Sequence, residues 1–236
     1  METSIQPLRE ALRNAQRVVV LTGAGVSAES GIPTFRGAEG LWKTYQAKDL
    51  ATPEAFVRDP ELVWEFYNWR RALIGQKTCN PAHTALAQLE NIISEFTLIT
   101  QNVDGLHQMA GNRDVIEFHG NFAWLQCLDC GQRVKTVDVN LDHMPPRCPC
   151  GGIYRPECVF FGEMIPPEEL DRSQIAASSC DLMLVVGCSA VVQPAAYMAS
   201  AAKRDSSSEN PPFMKSDELS LRPTGNFLPT AFRMAR

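Results

Sequence analysis

Three stretches constrain the fold more than anything else in the chain. Val18, Val19, Val20, Leu21 and Thr22 form one; Phe96, Thr97, Leu98, Ile99 and Thr100 a second; Leu182, Met183, Leu184, Val185, Val186 and Gly187 a third. All three are apolar and rich in β-branched residues, without polar alternation. A strand with one wet face alternates, whereas a strand covered on both faces does not, and that is the pattern of a parallel sheet. A helical pattern precedes each run, at residues 8–16, 83–93 and 167–177. Helices alternating with doubly covered strands predict α/β architecture with parallel strands.

Two stretches break the alternation. Residues 32–74 carry Trp42, Trp64 and Trp69 but no strand-like run, and read as loop plus helices. Residues 121–158 hold five of the eight cysteines with several Gly and Pro, which reads as a small metal-stapled module. The expected organisation is a sheet domain made of residues 1–37, 75–120 and 159–236. A helical insertion, 38–74, and a zinc module, 121–158, form a smaller lobe beside it, and the cleft between lobes is the place for a ligand.

Composition narrows the function. With 236 residues, 44% of them hydrophobic, the chain has enough apolar surface for a sizeable core. The net charge of −5 leaves no basic footprint for nucleic acid or an anionic membrane. The longest uncharged apolar run, residues 182–192, is well short of a spanning helix, which needs about 20 residues. The N-terminus lacks the basic end and apolar stretch of a signal peptide. A cytoplasmic location is expected, where cysteines are thiols or metal ligands before they are disulfides.

The first strand runs into Gly23, Ala24, Gly25, Val26, Ser27 and Ala28, a G-x-G-x-x-A pattern. Two glycines let the backbone turn tightly and approach a pyrophosphate at a helix N-terminus; an ordinary strand-to-helix turn has the same look. A hydride-transferring dehydrogenase would place a second strand ending in an acidic residue about 20 positions on. Residues 33–40 are not a strand, which disfavours the dehydrogenase but not the dinucleotide.

The second strand ends in Gln101, Asn102, Val103, Asp104, Gly105, Leu106 and His107. Amide, carboxylate and imidazole groups thus gather at a parallel strand's C-terminal end, where open α/β sheets bind ligands. Helix capping by Asn102 or Asp104 is the other reading. His119, beside Gly120 at the entrance to the cysteine module, is either structural or a general base. Cys127 and Cys130 pair with Cys148 and Cys150 across 17 residues; four thiolates suit one tetrahedral Zn²⁺ with no position left for substrate.

Taken jointly, the run from Gly23 to Arg36, residues 101–104, His119 with Gly120, the four cysteines, Phe161 with Gly162 and Glu163, and Gly187 with Cys188 and Ser189 stand in sirtuin order and spacing. From about residue 8 to residue 204 the sequence resembles a sirtuin. The resemblance implies an NAD⁺-consuming protein deacylase with a Rossmann-like domain and a small lobe of helices and zinc. In that chemistry the acyl-lysine carbonyl oxygen attacks C1′ of the nicotinamide ribose as nicotinamide leaves, giving deacylated lysine and O-acyl-ADP-ribose.

By position, the resemblance makes His119 the general base on a ribose hydroxyl. It makes Gln101, Asn102 and Asp104 organisers of ribose and nicotinamide. Gly23, Ala24, Gly25, Ser27, Phe35, Arg36, Gly187 and Ser189 line the dinucleotide site, with Cys188 where Thr is usual. The acylated peptide would add as a strand between residues 159–163, with Val159 and Phe161, and residues 190–192.

Two further expectations follow. Tyr67 and Arg70, spaced i, i+3 on a helix over residues 61–74, offer a hydroxyl and a cationic fork to a carboxylate. With Thr34 and Ala38 they resemble the subgroup that removes succinyl and malonyl groups. On that helix Leu62, Phe66, Trp69 and Leu73 form the expected core stripe, and Val63, Tyr67, Arg70 and Ile74 a second one. The C-terminus departs from the family: residues 205–210 are too polar for the usual edge strand, Asn210 stands where an adenosine-contacting Asn belongs, and the sheet edge is expected to be poorly covered. An alternative function follows, a protein binding acyl-lysine or partners with impaired NAD turnover.

Overall fold

The computed structural model describes residues 5–34, 41–42, 45–188, 195 and 213–215. Its main sheet has five strands, all parallel: β1 (Arg17–Thr22), β4 (Glu95–Thr100), β5 (Val115–Glu117), β9 (Leu182–Val186) and β10 (Phe213–Lys215), in the order β10-β9-β1-β4-β5. Counted along the chain, this is the 5-4-1-2-3 arrangement of a Rossmann-like sheet, whose order reverses between β1 and its neighbours β4 and β9. Ligands bind at that switch point, outside the C-terminal ends of the strands.

The unbroken apolar runs are covered on both faces. Val18 and Val20 pack with Leu86, Leu89 and Leu98, under helices α1 (Gln6–Asn14) and α5 (Pro81–Glu90). Val19 and Leu21 pack with Ile99, Phe118 and Met183 on the other face, toward Ala177 of helix α7 (Pro167–Ser179). Asn80 caps α5, its side chain accepting the N–H groups of Ala82 and His83.

The interrupting stretches pack on each other. Short strands β2 (Leu41–Trp42) and β3 (Tyr45–Gln46) pair antiparallel, a hairpin that the sequence reading of residues 32–74 lacked. After them come α2 (Ala47–Leu50), α3 (Pro53–Arg58) and α4 (Pro60–Ile74). Strands β6 (Gly120–Cys127), β7 (Arg133–Lys135) and β8 (Tyr154–Cys158) form a separate antiparallel sheet, β7-β6-β8. Helix α4 lies in one core with that sheet: Trp64 and Phe66 join Phe122, Leu125, Tyr154 and Phe160, and the Trp64 indole N–H donates to the Tyr154 carbonyl at 2.9 Å.

Two expectations are corrected. The stripe expected to be core on α4 is buried only at Phe66, while Trp69 is 36% exposed; Val63, Tyr67, Arg70 and Ile74 are the buried stripe. A helix inserted between a sheet and a cleft buries a broad arc, and the polar Arg70 hid which side was inward. The sheet edge is also covered, because β10 pairs with β9 in the register Phe213↔Met183 to Lys215↔Val185. The strand begins later than the family pattern suggested. Asn210 lies outside the described residues, as do Phe35, Arg36 and Ser189. Among the described residues, no helix is long and apolar enough to cross a membrane.

Candidate active site

The turns after β1 and β9 meet backbone to backbone. Gly25 N–H donates to the Gly187 carbonyl at 2.8 Å, and Gly23 N–H to that of Val186 at 3.2 Å. A Cβ on Gly25 would stand 2.8 Å from the Gly187 oxygen and 2.9 Å from its Cα. The glycines after β1 therefore serve first to let two loops cross. The segment that follows, Ala24–Ser30, is a seven-residue 3-10 helix rather than the α-helix that the G-x-G-x-x-A pattern led us to expect.

The loop after β4 meets those turns. Gln101 donates its backbone N–H to the Thr22 carbonyl at 3.0 Å, and its side-chain amide to Cys188 Sγ at 2.9 Å. The Cys188 sulfur thus accepts a hydrogen bond from this amide. Ser27 joins the two remaining polar groups: its hydroxyl donates to Asp104 Oδ2 at 2.8 Å and accepts from Asn102 Nδ2 at 3.0 Å. The other Asp104 oxygen accepts the Leu106 N–H at 3.0 Å, so this residue caps helix α6 (Leu106–Ala110) and also holds Ser27.

Behind Ser27 stands His83, fully buried. Its Nδ1 accepts the Asn80 N–H, which leaves the proton on Nε2, 3.3 Å from Ser27 Oγ. Burial lowers its pKa against the opposing pull of Asp104. Sequence reasoning missed this residue, since an imidazole on the inner face of an apolar helix has no periodic signature; the Asn80 cap three residues earlier was the one available signal.

His119 follows β5 directly. Its Nδ1 lies 3.0 Å from the Gln101 carbonyl. A carbonyl only accepts, so Nδ1 carries the proton and Nε2 keeps its lone pair. Burial lowers the pKa of the ring, which is neutral at pH 7. Gly120 (φ +79) lets the chain cross β8, where a Cβ would stand 2.2 Å from the Glu157 oxygen.

Arg70, only 8% exposed, lines one cavity with Ala24, Ser27, Ile32, Asn102 and Asp104. Burial lowers its pKa, and the charges of Tyr67, Cys158 and Asp104 oppose that. Tyr67 is not part of that lining, although its phenol stands close enough to Arg70 to raise the guanidinium's pKa more than Asp104 does. Its ring stacks on Phe160 at 5.5 Å and meets Phe122 edge-on at 5.4 Å. Burial, and the nearby Cys158, push its phenol well above the ordinary range. The structure therefore brings Arg70, but not Tyr67, to the cavity holding Asn102 and Asp104.

Val159 and Phe161 have their N–H groups engaged within the chain, by the carbonyls of His119 at 3.0 Å and Ala51 at 2.8 Å. The Phe160 N–H is held by Glu163, which also takes a two-pronged ion pair from Arg155 at 2.6 and 2.8 Å. The N–H groups of residues 159–161 are thus all engaged within the chain, and the Phe160 carbonyl accepts the Glu163 N–H at 3.0 Å.

The cysteine module fits a metal. The Sγ atoms of Cys127, Cys130, Cys148 and Cys150 all lie within 4.8 Å of one another, with Cys127–Cys150 at 3.5 Å and Cys130–Cys148 at 3.7 Å. Tetrahedral zinc with Zn–S bonds of about 2.3 Å sets sulfurs about 3.8 Å apart. Four thiolates fill every position, so the chemistry of the donor set is that of one structural zinc.

A family model matches residues 23–194, and its description is the Sir2 family. The chain belongs to the Sir2 family. An NAD-dependent protein deacylase of Thermococcus kodakarensis is 51% identical over 194 residues, covering 79% of this chain and 76% of the relative. A solved Sir2 homologue in complex with NAD superposes with a TM-score of 0.78 at 44% identity, covering 83% of this chain and 77% of that one. A Sir2 complex with a p53 peptide and NAD⁺ superposes at 0.78 with 35% identity, covering 86% and 83%.

Proposed function

We propose that this Sir2-family chain is an NAD⁺-dependent protein lysine deacylase that removes succinyl and malonyl groups, and acetyl groups as well. One observation carries the reading: a buried arginine from α4 shares a cavity with Ser27, Asn102 and Asp104 at the switch point of a Rossmann-like sheet. Bound NAD⁺ supplies the ADP-ribosyl group that accepts the acyl oxygen, with nicotinamide as leaving group.

This chain's residues do the rest. His119 Nε2, held by the bond from Nδ1–H to the Gln101 carbonyl, removes a proton from a ribose hydroxyl. The groups on Gln101, Asn102 and Asp104, fixed by Thr22, Cys188 and Ser27, orient the ribose and nicotinamide. Gly23, Ala24, Gly25 and Gly187 line the dinucleotide, together with Phe35, Arg36, Ser189 and Asn210. Arg70 pairs with the distal carboxylate of a succinyl or malonyl group, while Tyr67 acts from behind, holding Phe160 and the turn at residues 159–163. Val159 and Phe161 flank the peptide. The sheet residues form the dinucleotide-binding unit, and residues 38–74 and 121–158 the smaller lobe.

The alternative, a binding protein with impaired turnover, drew on an incomplete adenosine side; β10 covers the sheet edge, one part of that ground, while Asn210 lies outside the described residues. No disulfide joins the eight cysteines, four of which form the metal site, and this suits the reducing cytoplasm. Incubating the chain with acetyl-, succinyl- and malonyl-lysine peptides, with and without NAD⁺, and reading the products by mass tests the proposal. No NAD⁺-dependent loss of any acyl group would refute it.

A further inference from the structure

A second hydrogen-bond chain reaches the turn at residues 101–102, and it starts from a histidine that the chemistry above does not use. Thr22 donates its hydroxyl to Thr100 Oγ1 at 2.9 Å, and the same oxygen accepts the Asn102 backbone N–H at 3.1 Å. His107 Nε2 lies 3.0 Å from Thr22 Oγ1. The imidazole and the two hydroxyls form one continuous chain, and on its other side the imidazole meets the Asn112 side chain.

The Thr22 carbonyl, on the same residue, takes both the backbone N–H and the side-chain amide of Gln101, at 3.0 and 3.3 Å. One threonine thus holds both amide residues, Gln101 directly and Asn102 through Thr100. Thr22, Thr100 and His107 are all buried. Burial, reinforced by His83 4.8 Å away, takes His107 down to about 3, so it is neutral at any working pH and serves as a fixed partner of Thr22.

A pair of buried threonines at strand ends is ordinarily no more than a satisfied core contact. Here every link leads to the two amides at the switch point, and the far end is anchored in the first turn of α6. We propose that His107 is a positioning residue: acting through Thr22 and Thr100, it fixes the approach of Gln101 and Asn102 to NAD⁺ without touching NAD⁺ or the acyl-lysine. Its consequence for turnover rests on the deacylase reading; the positioning itself does not.

Thr22→Val removes the hydroxyl at nearly constant volume and leaves the carbonyl, while Thr22→Ser keeps both. His107→Phe keeps a ring and removes the hydrogen-bonding nitrogens. Three readouts on the full chain apply: amide hydrogen exchange at Asn102 by NMR, NAD⁺ affinity by calorimetry, and separate KM values for NAD⁺ and the acyl peptide. In Thr22→Val, Asn102 exchange should accelerate and NAD⁺ affinity fall, each about tenfold, the scale of one neutral hydrogen bond. The KM for NAD⁺ should rise while that for the peptide holds, and Thr22→Ser should recover most of the loss. The Thr22→Val, His107→Phe pair should be no worse than its worse member, because both cut one chain.

Unchanged Asn102 exchange in Thr22→Val, a Thr22→Ser variant as impaired as Thr22→Val, or losses that add would overturn the proposal. If His107→Phe fails to fold, the two Thr22 variants still decide it. Absence of NAD⁺-dependent turnover in the unsubstituted chain would sink the deacylase reading alone, and the exchange comparison at Asn102 would still decide this one.

Discussion

Replacing Gly187 with alanine tests the loop crossing on which the switch point depends. The new Cβ would stand 2.1 Å from the Val26 nitrogen, 2.6 Å from the Gly25 carbonyl carbon and 2.9 Å from Val26 Cα. All three are backbone atoms, so no side-chain rotation relieves the overlap. Gly187 sits at φ +61, and the left-handed conformation costs a residue with a Cβ about 1–2 kcal/mol. Ordinary carbon contacts begin near ~3.5 Å, so the two turns must part by roughly 1 Å or more. That breaks the 2.8 Å bond from Gly25 to the Gly187 carbonyl, a loss of about 1 kcal/mol, and strains the packing by about 1–3 kcal/mol. The sum, roughly 3–6 kcal/mol, predicts a fall in Tm of roughly 6–24 °C in a domain of this size. Gly162 is the internal comparison: it has φ +89 with no atom within 4 Å of its would-be Cβ, so Gly162→Ala carries only the conformational cost of about 1–2 kcal/mol. Thermal unfolding of both variants by circular dichroism, with NAD⁺ calorimetry at 20 °C below each Tm, separates the two effects. Equal Tm values for the two would refute the crossing as the reason for glycine at position 187.

His119→Ala should abolish NAD⁺-dependent deacylation while leaving Tm and zinc content unchanged, and near-normal turnover would remove His119 from the mechanism. Because burial lowers its pKa, the ring stays neutral and basic to lower pH than an ordinary histidine; the acid limb of kcat/KM should therefore fall below about pH 6.5, and a limb at higher pH would contradict this. Metal analysis should find one Zn²⁺ per chain, with Cys148→Ser losing both metal and cooperative unfolding; a metal-free chain that unfolds normally would rule out a structural zinc. Arg70→Met should lower kcat/KM on succinyl-lysine by about 10–100-fold, the value of a charge-assisted pair, and spare acetyl-lysine. Equal losses on the two substrates would make Arg70 structural.

Some of this molecule was legible from sequence because the physics is local. The residues of β1, β4 and β9 announce themselves by unbroken apolar runs, since both faces must be covered, and the four zinc cysteines by spacing that two tight knuckles can close. Where several elements share the cause, the sequence was less informative. Gly25 looks like a ligand-approach glycine, yet the atom it avoids lies at Gly187, more than 150 residues along. Strand β10 spans only three residues, too few to show a period. His83 and His107 lie among apolar neighbours, and no pattern of their own segments tells that they hold Ser27 and Thr22.

The placement of Arg70 gives the acyl reading its physical logic. A guanidinium does not deprotonate in a protein, so taking it out of water beside an apolar helix core incurs a desolvation cost in every state. The charge of Asp104, itself held by Ser27 and the Leu106 N–H, offsets part of that cost. A neutral acetyl group entering the cavity adds nothing to the balance. On the proposed reading a succinyl or malonyl group brings a second anion of fork-compatible shape to Arg70. The cation comes from α4, whereas Ser27, Asn102 and Asp104 come from loops at the ends of sheet strands. On the proposed reading, the residue that selects the acyl group comes from α4 and those that serve NAD⁺ come from strand ends, so Arg70→Met should change acyl preference and leave the hydrogen bonds among Ser27, Asn102 and Asp104 intact.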